Sequence, residues 1–391
     1  MFEKIIADYQ HDLRRELGHI LDWWEEHIFN HEHGGLYGSI DHKNKPNPDA
    51  PLGLVMCSQL LWSFSAGPPI LEDHSKLVCA KNLYTQLVNN FLDQEYGGAY
   101  WTIAPDGSPL NPRKQTAGLA AAIYGLSEYG WISVSNEPLK EAAELFRWIE
   151  NHLYDAVRGG YLEACAPDGA TLTDMRLTAK DRNDPKTAQT HLRLLEAYTN
   201  LYRYQPDAQL AGQLRQLIQL FFDHIINPLS GHLTLHFDTG WAPQSDSISY
   251  GLDIEAARAL LDAAEALGDG PLRVRCRENL VIMATAAAQG LDETDGGLWY
   301  SNQVSEKYWW AQAEAMCGFL HAWGISGEAH FLEKSLACWR FVQKQLLDRK
   351  QGEWFFGIDA KQHLLAGYEK AGMEKGPLHQ ARACMEIMRL G

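Results

Sequence analysis

A short glycine-marked phrase recurs six times along this chain and constrains its fold more than any other feature. The copies read His-Gly-Gly-Leu-Tyr-Gly at 33–38, Tyr-Gly-Gly-Ala-Tyr-Trp at 96–101, Arg-Gly-Gly-Tyr-Leu-Glu at 158–163, Ser-Gly-His-Leu-Thr-Leu at 230–235, Asp-Gly-Gly-Leu-Trp-Tyr at 295–300 and Gln-Gly-Glu-Trp-Phe-Phe at 351–356. A period of roughly sixty residues marks a repeat architecture. Glycine pairs permit the positive φ of a tight bend, and the residues after them alternate as a short strand does. Each phrase is thus a turn into a small β-hairpin, and each interval leaves room for two helices with apolar residues at three- and four-residue spacing.

The helical stretches fall into two sets. Residues 2–29, 74–93, 137–154, 207–226, 271–290 and 327–348 are amphipathic with a charged face, whereas 52–66, 114–130, 185–203, 249–267, 306–324 and 376–390 are more uniformly apolar and richer in small residues. The first set predicts an outer ring and the second an inner one. Six helical hairpins in a circle bury each apolar face on its neighbours, which gives an all-α (α/α)6 barrel with short β-hairpins at one end, one domain spanning 1–391. Polar and aromatic residues at the N-terminal ends of the inner helices then converge on one funnel, where chemistry is expected.

Charge narrows the partners. A formal net charge of -16 argues against nucleic acid, which requires clustered Lys and Arg. The first residues are acidic where a signal peptide would be basic, and no apolar run reads as a membrane span, so a cytoplasmic location without membrane contact is expected. Seven cysteines without a CxxC pair read as reduced core residues. Thirteen tryptophans and sixteen tyrosines suit a sugar site, because aromatic rings stack on pyranose faces. Phosphate-cradling, dinucleotide, zinc-protease and nucleophile-elbow motifs are missing. His31, Glu32 and His33 lack a third ligand and read as exposed loop residues.

The inner helices carry specific phrases: Ser249-Tyr250-Gly251-Leu252-Asp253-Ile254-Glu255-Ala256, Trp309-Trp310-Ala311-Gln312-Ala313-Glu314-Ala315, Lys186-Thr187 leading to Leu195-Glu196-Ala197-Tyr198, and His379 with Arg382, Cys384, Met385 and Glu386. In these the whole chain resembles the N-acylglucosamine 2-epimerase superfamily, most closely its cellobiose 2-epimerase branch. The resemblance implies a cofactor-independent epimerase or isomerase, without metal, acting at C1/C2 of the reducing-end residue of a mono- or disaccharide, as a monomer or homodimer. Enzymes of that family look like two-histidine catalysts, one base removing the proton α to the open-chain carbonyl and the other returning it. The family's C-terminal histidine falls on His379 and its acid on Glu255.

Several positions depart from the family pattern. Its other histidine falls on Leu252, which cannot accept a proton. An arginine falls on Gln59, a histidine and an asparagine on Arg193 and Gln189, a tryptophan on Glu374, and a tyrosine and a glutamine on Ala117 and Leu119. The expected catalytic pair is His379 and Glu255. The expected substrate-binding set is Trp309, Trp310, Arg193, Gln59, Gln189, Leu252, Glu314 and Glu374. Trp309 and Trp310 point about 100° apart on one helix, so at most one faces the funnel. A buried Arg193 needs a carboxylate, with Glu255 or Glu314 as internal partners and an anionic substrate as the weaker alternative. Asp246 and Asp253 read as helix-start acids. Two other functions fit the same barrel: an inverting glycoside hydrolase pairing Glu255 with Glu314, Asp246 or Asp184, and a carbohydrate-binding homologue that has lost turnover.

Overall fold

Twelve α-helices alternate between the two expected rings, and a computed structural model describes residues 2–30, 34–176, 178 and 181–390. The outer helices are α1 (Phe2–Ile28), α3 (Leu77–Asn90), α5 (Glu137–His152), α7 (Ala208–Leu220), α9 (Gly270–Ala287) and α11 (Ala329–Phe341). The inner ones are α2 (Leu54–Leu71), α4 (Thr116–Ile132), α6 (Ala188–Tyr204), α8 (Tyr250–Ala266), α10 (Trp309–Ser326) and α12 (Leu378–Arg389). Each inner helix packs on the next, and α12 packs on α2 and on α1, so the ring closes.

The phrases form the hairpins at one end, and neighbouring repeats are stitched there. The strand entering an inner helix pairs antiparallel with the hairpin strand of the following repeat: Leu52 with Ile103, Lys114 with Cys165, Lys186 with Phe237, Lys307 with Ile358. A bridge from Ile40 to Ala371 joins the last repeat to the first. In each hairpin the glycine N–H donates to an Asp or Asn carbonyl four residues earlier, as Gly97 does to Asp93 at 3.0 Å, with Gly97 at φ 75°. The sixth copy puts Glu353 at φ 62°, a strained place for a side chain. Its buried carboxylate is held by Trp24 Nε1 (2.8 Å), Lys375 Nζ (2.7 Å) and Gln380 Nε2 (2.9 Å), which offsets the strain.

Beneath four hairpins lies a buried lysine. Lys114 bonds Asp93 (2.6 Å), Lys186 bonds Asp155 (2.8 Å), Lys307 bonds Asp292 (2.7 Å) and Lys370 bonds Asp348 (2.7 Å). These four ammonium groups sit over the faces of Tyr100, Trp241, Trp299 and Phe355, respectively. The two remaining repeats carry Asn30 and Asn227 in place of the aspartate, and Leu52 and Ile248 stand where the lysine precedes the inner helix. The charge and its partner occur together, as the cost of burying a lone charge requires.

One boundary expectation is corrected. Helix α2 runs on through Pro68 and Pro69 to Leu71, because Arg14 binds the exposed carbonyls of Ile70 (3.0 Å) and Leu71 (3.3 Å). This helix is also long and apolar enough to cross a membrane by length and composition, yet 72% of it is buried inside the ring. All seven cysteines are buried and unbonded to one another. The segment carrying His31, Glu32 and His33 lies outside the described residues.

Candidate active site

Inner helices α6, α8, α10 and α12 each turn charged side chains toward the barrel axis. Arg193 and Glu196 lie on α6, Glu255 and Arg258 on α8, Glu314 on α10, and His379, Arg382 and Glu386 on α12. Three of the four helices thus carry an opposite-charge pair at three- or four-residue spacing, which puts both members on one face. Helices α2 and α4 add no charge to this cluster; the nearby polar group on α2 is Gln59, which packs so closely on Gly376 that a side chain there would overlap its amide oxygen.

The pairs interlock across the axis. Arg193 donates from Nη1 to Glu196 (2.7 Å) and, through both terminal nitrogens, to Glu255 (2.6 and 3.0 Å). Arg382 donates to Glu196 (2.6 Å), Glu255 (2.8 Å) and Glu314 (2.6 Å). Arg258 donates to Glu196 (2.8 Å) and Glu386 (3.0 Å), with its Nε 3.6 Å from Glu314. Arg193 is therefore committed to internal carboxylates, and the anionic-substrate alternative loses its motive. Burial alone would raise the Glu314 carboxyl, but Arg382 and the His379 hydrogen bond hold it down at about 2. Burial likewise opposes, and Arg193 overrides, at Glu255, which stays below the ordinary carboxylate range.

His379 stands in the first turn of α12, 6% exposed, with Nδ1 2.7 Å from Glu314 Oε1 and 3.6 Å from Glu255 Oε1. An ionised carboxylate only accepts, so Nδ1 carries the proton and Nε2 presents its lone pair. Trp310 lies beside the imidazole, ring centroids 5.8 Å apart, and packs across Gly251, where a Cβ would come within 2.7 Å of the indole. His191 shows the contrasting arrangement. Both of its nitrogens are spent on backbone, Nδ1 on Thr187 O and Nε2 on Tyr161 N–H, and burial pushes it down to about 4.

The remaining expected residues divide. Trp309 is corrected: it is 3% exposed, donates Nε1 to Gln380 (3.1 Å) and packs on Phe356, so it belongs to the wall behind the site. Leu252 is 7% exposed in the first turn of α8, three residues before Glu255, and brings a methyl surface where a base would otherwise sit. Gln189 and Glu374 are exposed, the latter close enough to Tyr300 to act on its hydroxyl. Asp253 is a brace: it accepts from Leu233 N–H (2.8 Å) and contacts His232 Nδ1 (2.7 Å). Asp246 is bonded by Gln303, and Asp184 pairs with Arg182, so neither joins Glu255 or Glu314.

Arg258 was not anticipated, and Glu196, Arg382 and Glu386 were noticed only as letters within phrases. The signal available for them was the charge pairing at helical spacing on otherwise apolar helices. Glu255, Glu314 and His379 present ligand atoms within 4.8 Å of one another, a spacing a metal ion could use. Both carboxylates are already engaged by guanidinium groups, so a dication there would stand against Arg382 and Arg193, and the donor set does not suit one.

Comparison with known proteins agrees with this architecture. A cellobiose 2-epimerase of Bacteroides fragilis is 37% identical over 96% of this chain and 98% of its own. The structure of a cellobiose 2-epimerase from Spirochaeta thermophila superposes with a TM-score of 0.92 at 36% identity, covering 100% of this chain and 98% of that one. One from Bacillus thermoamylovorans gives 0.93 at 31%, covering 98% and 99%. The sequence model of N-acylglucosamine 2-epimerase (GlcNAc 2-epimerase) matches residues 35–375. With its six-fold barrel, that match over most of its length and these relatives, the chain belongs to the N-acylglucosamine 2-epimerase family.

Proposed function

We propose that this chain is a cofactor-independent sugar epimerase or isomerase that acts at C1/C2 of the reducing-end residue of a mono- or disaccharide, with His379 as its base. The observation that carries the reading is the His379–Glu314 pair, whose bond at Nδ1 leaves Nε2 as the basic nitrogen, with Trp310 beside the ring. In the open-chain aldose the C2 proton is acidified by the C1 carbonyl. His379 Nε2 takes it, Glu314 meets the imidazolium through Nδ1–H, and negative charge develops on the enediol oxygens. Arg193, at 17% side-chain exposure the most open of the three central guanidinium groups, supports that charge through its field while it stays bonded to Glu196 and Glu255.

Leu252 shapes the outcome. Clean inversion at C2 needs a second group on the opposite face, and an aliphatic side chain supplies none. One base can carry the same proton from C2 to C1, so the aldose-to-ketose shift is the favoured product. Hydrolysis is the weaker reading, because an inverting hydrolase needs one carboxylic acid that keeps its proton. Glu255 and Glu314 are both held ionised by arginine.

The test is product identification by NMR after incubation with glucose, mannose, cellobiose and mannobiose. Appearance of a ketose or C2 epimer with the glycosidic bond intact is expected. Released monosaccharide from the disaccharides would replace the reading with hydrolysis, and unchanged sugars would leave a binding protein.

A further inference from the structure

A hollow lies at the end of the barrel away from the hairpins. There the inner helices finish, and a cavity of about 340 Å³ lies among Trp62, Tyr124, Asn200, Arg258, His321 and Glu386. Its volume falls in the range of small-ligand pockets, roughly 300–1,000 Å³. Arg258 and Arg382 line it from within, so its floor is the back of the charge network that holds Glu314 and His379.

We propose that this rear cavity is a second ligand site, for a neutral polyol the size of one monosaccharide. Three observations select that chemistry. First, Trp62 and Tyr124 lie parallel, centroids 5.4 Å apart and planes 5° from each other, giving an aromatic surface of the kind sugar rings stack on. Second, the wall mixes donors and acceptors, with Asn200, Arg203 and Arg258 beside Glu128, Asp262 and Glu386. Vicinal hydroxyls both donate and accept, so they answer such a mixed wall where a purely basic or acidic ligand would not. Third, the charges of the lining balance, four arginines against four carboxylates, so neither an anion nor a cation is favoured over a neutral ligand.

The test uses the full chain with 13C-labelled methionine methyl groups, because Met385 lines the rear cavity. Its signal is assigned with Met385→Leu. The probe is myo-inositol, which has no carbonyl and cannot be turned over, titrated until no signal moves further. The expected result is a saturable shift of the Met385 methyl that persists in Trp310→Ala and is lost in Trp62→Leu. A Met385 signal that stays still, or a shift that vanishes in Trp310→Ala, would overturn the proposal. So would a shift produced by inorganic phosphate alone, which would make the cavity an anion site. The Trp310→Ala measurement decides the matter even if Trp62→Leu fails to fold.

Discussion

Two sets of buried ion pairs occupy this barrel, and they obey different rules. The hairpin pairs, Lys114–Asp93, Lys186–Asp155, Lys307–Asp292 and Lys370–Asp348, follow the repeat, and they are lost as a unit where the repeat carries asparagine. The central pairs ignore the repeat. They come from four of six inner helices, and every carboxylate in them is shared by at least two basic side chains. Symmetry-following charges build architecture, whereas symmetry-breaking charges mark where the fold has been bent to a task. Buried ion pairs are poor sources of net stability, so a network of this size is weak evidence for a purely structural role.

The sharpest way to break that distinction is Lys114→Met. It strands Asp93 in a buried site and should remove about 3–5 kcal/mol of stability, read by urea unfolding, with turnover per folded molecule unchanged. Adding Asp93→Asn should recover most of the loss. A fall in turnover of the folded fraction would erase the difference between the two sets.

Acid titration should expose the central set. Glu314 and Glu386 are each held at about 2 against an ordinary 4.5. A depressed carboxylate contributes its stabilisation fully above the unfolded value and loses it as pH falls toward the folded one. Unfolding free energy should therefore drop between pH 4.5 and 2, by about 3 kcal/mol for Glu314, and Glu314→Gln should flatten that slope.

The same variant should lower kcat about tenfold to a hundredfold with little change in KM, because Glu314 acts through His379. Equal loss in kcat and gain in KM would place it in substrate binding instead. The smallest expected effect on the fold is that of Leu252→His, which buries a polar ring at a 7% exposed site and should cost about 1–3 kcal/mol. Its product mixture should move from ketose toward the C2 epimer, as measured by NMR.

The barrel was legible because glycine phrases and helical periodicity repeat, and each copy corroborates the others. Even the lysines could be read as part of that period, standing two residues before α4, α6 and α10. The site was legible only in part. His379, Glu255, Glu314 and Arg193 could be named, but their pairing depends on the angles at which four helices meet, which no local pattern encodes. That is why Trp309 and Trp310 were separable by their 100° offset while the choice between them waited for the structure. Arg258 escaped because a charge among alanines on α8 reads as a solvated face until the ring closes around it.

The central claim, that His379 is the enolising base, is tested most directly by following the C2 proton of glucose or mannose in heavy water with wild type and His379→Ala. The account predicts exchange in the wild type and a loss of about 10²–10⁴-fold per folded molecule in the variant. Exchange that continues undiminished in His379→Ala would contradict it.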